Sequence, residues 1–145
     1  MREVCICNFT LAEGARLPEK KHPEDAGYDV YANEDMYLRV GERAAVGTGV
    51  FFQPEPSWYI QVVPRSGLAL KSGITVLNTP GTIDSNYRNE IKIILVNLSD
   101  MDYAVHKGDR IAQIIFTPSY EAVFVEAESL DDSDRGQGGF GSTGK

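Results

Sequence analysis

The sequence predicts an all-β domain with one short helix, and three observations support this. Runs rich in Val, Ile, Tyr and Phe recur along the chain, with Gly, Pro, Asn and Asp between them. Only one short stretch has the residues of a helix, and a length of 145 residues fits one domain. About nine closely spaced strands are typical of a β-sandwich or a β-barrel.

The strand-forming runs follow one another along most of the chain. Some alternate in polarity: Tyr28, Val30 and Ala32 would share one side of their strand. The predicted strands are residues 2–10, 26–32, 36–40, 43–53, 58–64, 73–78, 89–99, 110–120 and 121–128.

The predicted helix and the C-terminal tail differ from these runs. In RSGLALKSG, Ser66 is a candidate N-cap, helix formers follow, and Gly73 ends the segment. Beyond the strands the chain becomes acidic and then glycine-rich, with almost no core-forming side chains. We therefore expect a β domain over residues 1–126 and a flexible C-terminal arm over residues 127–145.

The chain is acidic, with a net charge of −7 from 21 acidic and 14 basic residues. This charge argues against broad nucleic-acid binding, and an anionic ligand would need local donors or a bound cation. Cys5 and Cys7 would lie on one strand face, too constrained to pair well, which favours a reduced, cytoplasmic compartment. We find no signal peptide and no run approaching the roughly 20 apolar residues of a membrane helix, so we expect no membrane partner.

Four stretches combine turn geometry with reactive or charged side chains. In GTIDSNYRNE, Asp84 is either an ordinary turn former or a general base at the tip of a hairpin. In PRSGLALKSG, the helix start and Arg65 form either a plain cap or a site for phosphate oxygens. Asp29 is either an exposed strand residue or a carboxylate for a hard cation. In the arm, Arg135 and Phe140 belong either to a solvated linker or to a clamp on an anion and a flat ring.

Taken together, these stretches resemble the five ordered motifs of the trimeric deoxyuridine triphosphatases (dUTPases). AGYDVYA is similar to the first motif, PRSGLALKSG to the second and GTIDSNYRNEIKIILVN to the third. KGDRIAQIIF is similar to the fourth and RGQGGFGSTG to the fifth. Asn89 departs from the pattern, because the family usually has glycine there. Since Asn tolerates positive φ, we expect the turn to persist.

The resemblance implies a jelly-roll-like β-sandwich of the β-clip type that forms homotrimers. Each active site would be built from more than one subunit, with the C-terminal arm closing over it. The family hydrolyses dUTP to dUMP and pyrophosphate, a reaction that limits uracil in DNA and supplies dUMP for dTMP synthesis. The implied substrate is therefore dUTP and the implied cofactor is Mg²⁺, with no nucleic acid as a partner.

The motifs also imply which residues hold the substrate. Those at uracil and deoxyribose are Asn78, Gly81, Thr82, Ile83, Tyr87 and Lys92. Those at the phosphates are Arg65, Ser66, Gly67 and Gln113. Those contributed by the arm are Arg135, Phe140, Gly141 and Ser142.

Within these groups the resemblance implies distinct roles. Asp84 would deprotonate the water that attacks the α-phosphorus, and Asp29 would hold Mg²⁺ through water. Tyr87 would pack on the deoxyribose and exclude a 2′-hydroxyl group. From the arm, Arg135 would reach the γ-phosphate side and Phe140 would stack on uracil.

Two other functions stay open on the sequence alone. The related dCTP deaminases share the fold but need a glutamate placed for deamination, and Glu90 is the only acid near the predicted hairpin. A nucleotide-sensing or protein-binding module would keep the fold without catalysis. Ammonia release from dCTP would identify the first alternative, and dUTP binding without turnover would identify the second.

Overall fold

Strands provide almost all the regular structure in the computed structural model, which describes residues 3–144. The described part contains eleven strands and one helix. In chain order the elements are β1 (Cys7–Leu11), β2 (Tyr28–Tyr31), β3 (Met36–Leu38), β4 (Arg43–Gly47), β5 (Val50–Pro54), β6 (Trp58–Val63), α1 (Ser66–Ser72), β7 (Ile74–Val76), β8 (Gly81–Ile83), β9 (Lys92–Asn97), β10 (Tyr103–Val105) and β11 (Arg110–Pro118).

The strands form four antiparallel sheets. The largest has the order β2-β11-β6-β8, and a three-stranded sheet has the order β4-β9-β7. Two further pairs are β1 with β5 and β10 with β3. The all-β class with one short helix is therefore confirmed. In the largest sheet β8 is an edge strand, so one side of its backbone is not paired with any strand of the described chain.

The two larger sheets share one hydrophobic core. Ile60 and Ile114 from the four-stranded sheet and Ile93 and Leu95 from the three-stranded sheet are all 0% exposed and belong to one cluster. Successive residues of a strand point to opposite faces. Ile94 is therefore directed away from this core, toward the cavity described below.

Residues 43–53 form two strands, so the prediction of one strand there was wrong. β4 pairs with β9, whereas β5 pairs with β1. Between them Gly49 has φ +67°, in the left-handed region that glycine enters without a steric penalty. A Cβ there would also lie 2.6 Å from the Cβ of Ala15. Gly49 thus lets the chain turn closely from one sheet to another.

Residues 121–128 form no strand, which corrects a second prediction. Val123, Phe124 and Val125 are 84%, 95% and 83% exposed. The composition suits a strand, but a strand also needs a neighbour for its backbone hydrogen bonds, and the described part of this chain supplies none. Conversely, β8 and β10 are not among the predicted strands. Each has three residues, too few to show a period, whereas the equally short β3 and β7 lie inside longer strand-forming runs.

Helix α1 begins and ends close to the predicted positions. Its N-cap is Arg65 rather than the predicted Ser66, which is the first helical residue, and no side chain caps the N-terminus. At the other end Gly73 has φ 63° and donates its N–H to the carbonyl of Ala69 at 3.0 Å. The predicted glycine stop is therefore confirmed.

The two cysteines are free thiols at one side of an apolar groove. Cys5, Cys7 and Phe9 line this groove in i, i+2, i+4 order, as expected for one face of an extended chain. Burial raises the pKa of both thiols above the ordinary value. Within residues 3–144, no helix has the length and apolar character needed to cross a membrane.

Candidate active site

A cavity of about 310 Å³ gathers the residues assigned to uracil and deoxyribose. Its lining contains the predicted general base and the residues predicted to contact uracil and deoxyribose: Asn78, Gly81, Thr82, Ile83, Asp84, Tyr87 and Lys92. Its apolar lining, which the sequence did not indicate, is Ala45, Val62, Ile91 and Ile94. The structure therefore brings the predicted base next to a partly apolar recess.

Asp84 directly follows β8 and lies at this cavity. The predicted hairpin is wrong, because β8 pairs with β6 whereas β9 pairs with β4 and β7. Residues 84–91 instead connect two sheets, and the N–H of Tyr87 closes a turn onto the carbonyl of Asp84 at 3.1 Å. Within residues 3–144 the Asp84 carboxylate has no hydrogen bond or ion pair, and the residue is exposed.

Asn89 does not need the backbone freedom of glycine. Among the described residues, Phe140 is the only residue other than glycine with a positive φ. The tolerance of Asn for positive φ is therefore not what preserves this turn. The Asn89 side chain contributes directly, because its Oδ1 accepts the N–H of Glu90 at 2.8 Å.

Gly81 allows close packing at the part of the cavity assigned to uracil. A Cβ at this position would lie 3.1 Å from Nδ2 of Asn78 and 3.3 Å from the Cβ of Val62. The amide of Asn78 thus lies against the start of β8, where the backbone of Gly81–Ile83 has one unpaired edge. Such an edge offers N–H and C=O groups that can pair with a planar polar ligand.

Asp29 lies between two arginines in a separate group. Its Oδ1 accepts the Nε–H of Arg65 at 3.2 Å, and its Oδ2 accepts a hydrogen bond from Arg110 at 3.1 Å. Gln113, also assigned to the phosphates, lies opposite Asp29 in the β2–β11 register and donates to the carbonyl of Pro64 at 3.1 Å. The first, second and fourth motifs therefore meet at this end of the four-stranded sheet.

A polar cavity of about 500 Å³ opens beside this group. Arg16, Arg65 and Arg110 line it together with Tyr103, and it shares no lining residue with the Asp84 cavity. Burial, and then the negative charge of Asp109, raise the pKa of Tyr103 above the ordinary value. Tyr103 therefore stays protonated at neutral pH and can donate a hydrogen bond.

The start of α1 leaves backbone donors open to solvent. The first residues of a helix have N–H groups without an intrahelical acceptor, and no side chain caps this end. Ser66 and Gly67 are both exposed there, next to Arg65. This arrangement can accept phosphate oxygens.

The arm residues do not join either cavity within one chain. Arg135 donates its Nε–H to the carbonyl of Gly138 at 2.7 Å, and Ser142 donates its N–H to Gly139 at 3.0 Å. Phe140 is fully exposed, and Gly141 follows it with φ 80°. In the described residues 121–144, every hydrogen bond joins two residues of the arm itself. Residue 145 lies outside the described range.

Arg110 and Glu90 are the main residues that sequence reasoning missed at these sites. Arg110 belongs to the fourth motif, and the need of Asp29 for a cationic partner was a signal that could have found it. Glu90 was considered only as a deaminase acid, but it does not line the Asp84 cavity. Its carboxylate instead accepts the N–H of Gly49 at 2.9 Å.

Comparison with known proteins identifies the same family over nearly the whole chain. The dUTPase family profile matches residues 13–144. The deoxyuridine 5'-triphosphate nucleotidohydrolase of Helicobacter hepaticus is 51% identical over 144 residues, covering 99% of this chain and 91% of that protein. The corresponding Nautilia profundicola protein is 50% identical over 135 residues, covering 93% and 95%. The structure of Staphylococcus bacteriophage 80alpha dUTPase with dUpNHpp matches with a TM-score of 0.88 at 26% identity, covering 97% of this chain and 99% of its own.

Proposed function

The chain belongs to the dUTPase family, whose reaction is the hydrolysis of dUTP to dUMP, and we propose that it performs this reaction at the cavity beside Asp84. The observation that carries the proposal is the position of Asp84 at a recess that also contains Asn78, the β8 edge and Tyr87. An acid without a hydrogen-bond or ion-pair partner among residues 3–144 thus lies next to groups suited to a nucleobase and a sugar.

Uracil recognition would use the β8 edge and the Asn78 amide. Because β8 pairs only with β6 in its sheet, the backbone of Gly81–Ile83 can pair with the polar edge of uracil. The close backbone around Gly81 would leave no room for the methyl group of thymine. A ligand that leaves a polar group of such a pocket without its hydrogen-bond partner can be disfavoured by about 10⁴-fold. Cytosine should therefore be rejected strongly.

Sugar recognition would rest on Tyr87. Its hydroxyl donates to the carbonyl of Glu90 at 2.9 Å, which fixes the direction of the ring. The residue is 42% exposed, so part of the ring is available to a ligand. Packing of this ring on the deoxyribose would exclude a 2′-hydroxyl group and therefore UTP.

Asp84 would act as the general base. Its carboxylate would take a proton from the attacking water as the water oxygen bonds to the α-phosphorus. The bond from the α-phosphorus to the oxygen that bridges it to the β-phosphorus would break, releasing pyrophosphate. General-base catalysis of this kind contributes about 10²–10⁴-fold to rate.

The phosphates would contact Arg65, Gln113 and the start of α1. Asp29 fits a role in holding Mg²⁺ through water, because each of its oxygens accepts one arginine hydrogen bond and has capacity for another. No cluster of three His, Cys, Asp or Glu residues within 3–144 could hold a metal alone. Substrate phosphates would therefore supply most ligands, as is usual for Mg²⁺. The bound ion would neutralise charge on the phosphates.

We place the complete site between the subunits of a homotrimer. Within one chain the predicted residues fall into three groups: the Asp84 cavity, the Asp29 group and the arm. The apolar residues Val123–Val125 are exposed in the single chain and suit burial against a neighbouring subunit. Light scattering should give three times the chain mass of 16.0 kDa. In this assembly Arg135 and Phe140 would close over a neighbour's cavity.

We also place the enzyme in the cytoplasm. Cys5 and Cys7 are free thiols, and such thiols persist in a reducing compartment. Cell fractionation with an antibody against the chain would test this location.

The test is pyrophosphate release from dUTP, dTTP, dCTP and UTP in parallel, with magnesium and with excess EDTA. We expect fast release from dUTP alone and its loss with EDTA. Release from none, with dUTP still bound, would favour a sensing module. Ammonia release from dCTP would instead identify a deaminase.

A further inference from the structure

Glu90 connects the segment that carries Asp84 to the β4–β5 turn. Its Oε1 accepts the N–H of Gly49 at 2.9 Å, and its side chain is only 25% exposed. Within the described part of the chain, the other side chains of residues 84–90 hydrogen-bond inside this segment or make no hydrogen bond. Among residues 3–144, the Glu90 carboxylate therefore accepts the one hydrogen bond that joins a side chain of this segment to the rest of the domain.

The backbone beside Glu90 is held to the same turn. Thr48 Oγ1 donates to the carbonyl of Ile91 at 2.6 Å, and the Ile91 N–H donates to the carbonyl of Val50 at 2.8 Å. The Tyr87 hydroxyl in turn bonds the carbonyl of Glu90. A displacement at Glu90 would thus be passed to Tyr87 and, through the Tyr87–Asp84 turn, to Asp84.

Glu34 makes a similar contact from another part of the chain. Its Oε1 accepts the N–H of Gly47 at 2.6 Å, on the other side of the same turn. A Cβ at Gly47 would lie 2.7 Å from Glu90 Oε1 and 3.1 Å from Glu34 Oε1, so glycine leaves room for both carboxylates. Because Glu34 is not on the Asp84 segment, it is a matched control for the contact itself.

The structure assigns Glu90 as a positioning residue that sets the place of Asp84 through the β4–β5 turn. The inference depends on the proposed function of Asp84. Glu90 does not line the cavity itself, but it contacts two residues that do: its carbonyl accepts the Tyr87 hydroxyl at 2.9 Å, and its Oε2 lies 3.9 Å from Nζ of Lys92. It therefore acts on the geometry of the site and not on the reacting atoms. Displacements near 1 Å can cost about 10²-fold in rate, so a lost anchor should show in kcat.

The experiment compares full-length wild type with Glu90→Ala, Glu90→Gln and Glu34→Ala. For each protein we would measure kcat and KM with dUTP, the Kd of dUpNHpp and the thermal midpoint. Glu90→Ala should lower kcat by about 10-fold or more, and by a larger factor than it raises the dUpNHpp Kd, which can rise because Glu90 also contacts Tyr87 and Lys92. Glu90→Gln, which keeps an oxygen acceptor for Gly49, should restore most of kcat.

Glu34→Ala should reduce the thermal midpoint without a comparable loss of kcat. A purely structural role would lower the midpoint in both alanine variants and leave both kcat values near wild type, which would overturn the inference. Equal kcat losses in both variants would also overturn it. If Glu90→Ala does not fold, Glu90→Asp, which draws the oxygen away from Gly49, should show the same kcat loss, and unchanged kcat would refute the inference.

The wild-type assay separates this inference from the proposed function. A wild type without dUTP hydrolysis would overturn both. An active wild type together with a fully active Glu90→Ala would overturn only the role of Glu90.

Discussion

Replacement of Asp84 by Asn tests the central chemical assignment with little change in structure. The two side chains have nearly the same shape, and the Asp84 carboxylate has no hydrogen bond or ion pair within residues 3–144. The free energy of unfolding should therefore change by no more than about 0.5 kcal/mol. For a domain of this size that corresponds to about 2 °C in Tm. The neutral amide cannot accept a proton from water, so kcat should fall by about 10²–10⁴-fold.

The assay is pyrophosphate release at saturating dUTP, together with the Kd of dUpNHpp measured by calorimetry. Binding should be retained, because the base and sugar contacts do not involve the Asp84 carboxylate. Ser85→Ala is the matched control, since it changes the neighbouring side chain of the same turn and should keep kcat. Near-normal turnover in Asp84→Asn would refute the assignment of Asp84 as the base. A large fall in Tm would refute the view that its carboxylate has no structural role.

Three further predictions concern the scaffold and the arm. Thr48→Val removes a fully buried hydroxyl that donates to the carbonyl of Ile91, so urea unfolding should show a fall of about 1–3 kcal/mol in the free energy of unfolding. Thr48→Ser keeps a hydroxyl and should lose less stability, and the reverse order would contradict this account. Gly81→Ala places a Cβ 3.1 Å from Asn78 Nδ2 and should weaken dUpNHpp binding in calorimetry, whereas unchanged affinity would remove the Asn78 amide from base recognition. A chain that stops at Ser129 should keep its Tm and its assembly but lose most of kcat/KM, and unchanged kcat/KM would make the arm a passive linker.

The strands were predictable where the sequence pattern of apolar residues matches the buried positions. They were less predictable where a strand forms only through a tertiary contact. β9 contains the continuous apolar run Ile93–Val96, of which only Ile94 is not buried, and this run reads as a strand without further information. β8 has only three residues and exists because it pairs with β6, a contact between distant parts of the chain. Residues 121–128 show the opposite case, because a strand-like composition has no partner within the described chain. Local propensity is therefore insufficient where pairing depends on a distant neighbour.

Most residues of the candidate site were predicted from the five motifs. The residues that hold them in place were not predicted. Seven of the predicted residues line one cavity, because β8 and the turn after it carry several of them in sequence. Arg110 and Glu90 were missed because their roles depend on residues far away in the chain, at Asp29 and Gly49. The hairpin was wrongly predicted for the same reason: the sequence shows apolar residues before and after Asp84 but not the sheets to which they belong.

The arrangement of the arginines explains how an acidic chain could hold a triphosphate. The net charge of −7 is spread over the chain, whereas Arg16, Arg65 and Arg110 line one cavity. Asp29 orients two of these guanidinium groups before any ligand arrives. These long side chains are then already partly ordered in the free protein, so less conformational entropy is lost on binding. Arg135, by contrast, is held in a turn of its own arm, so its contribution would require the arm to rearrange.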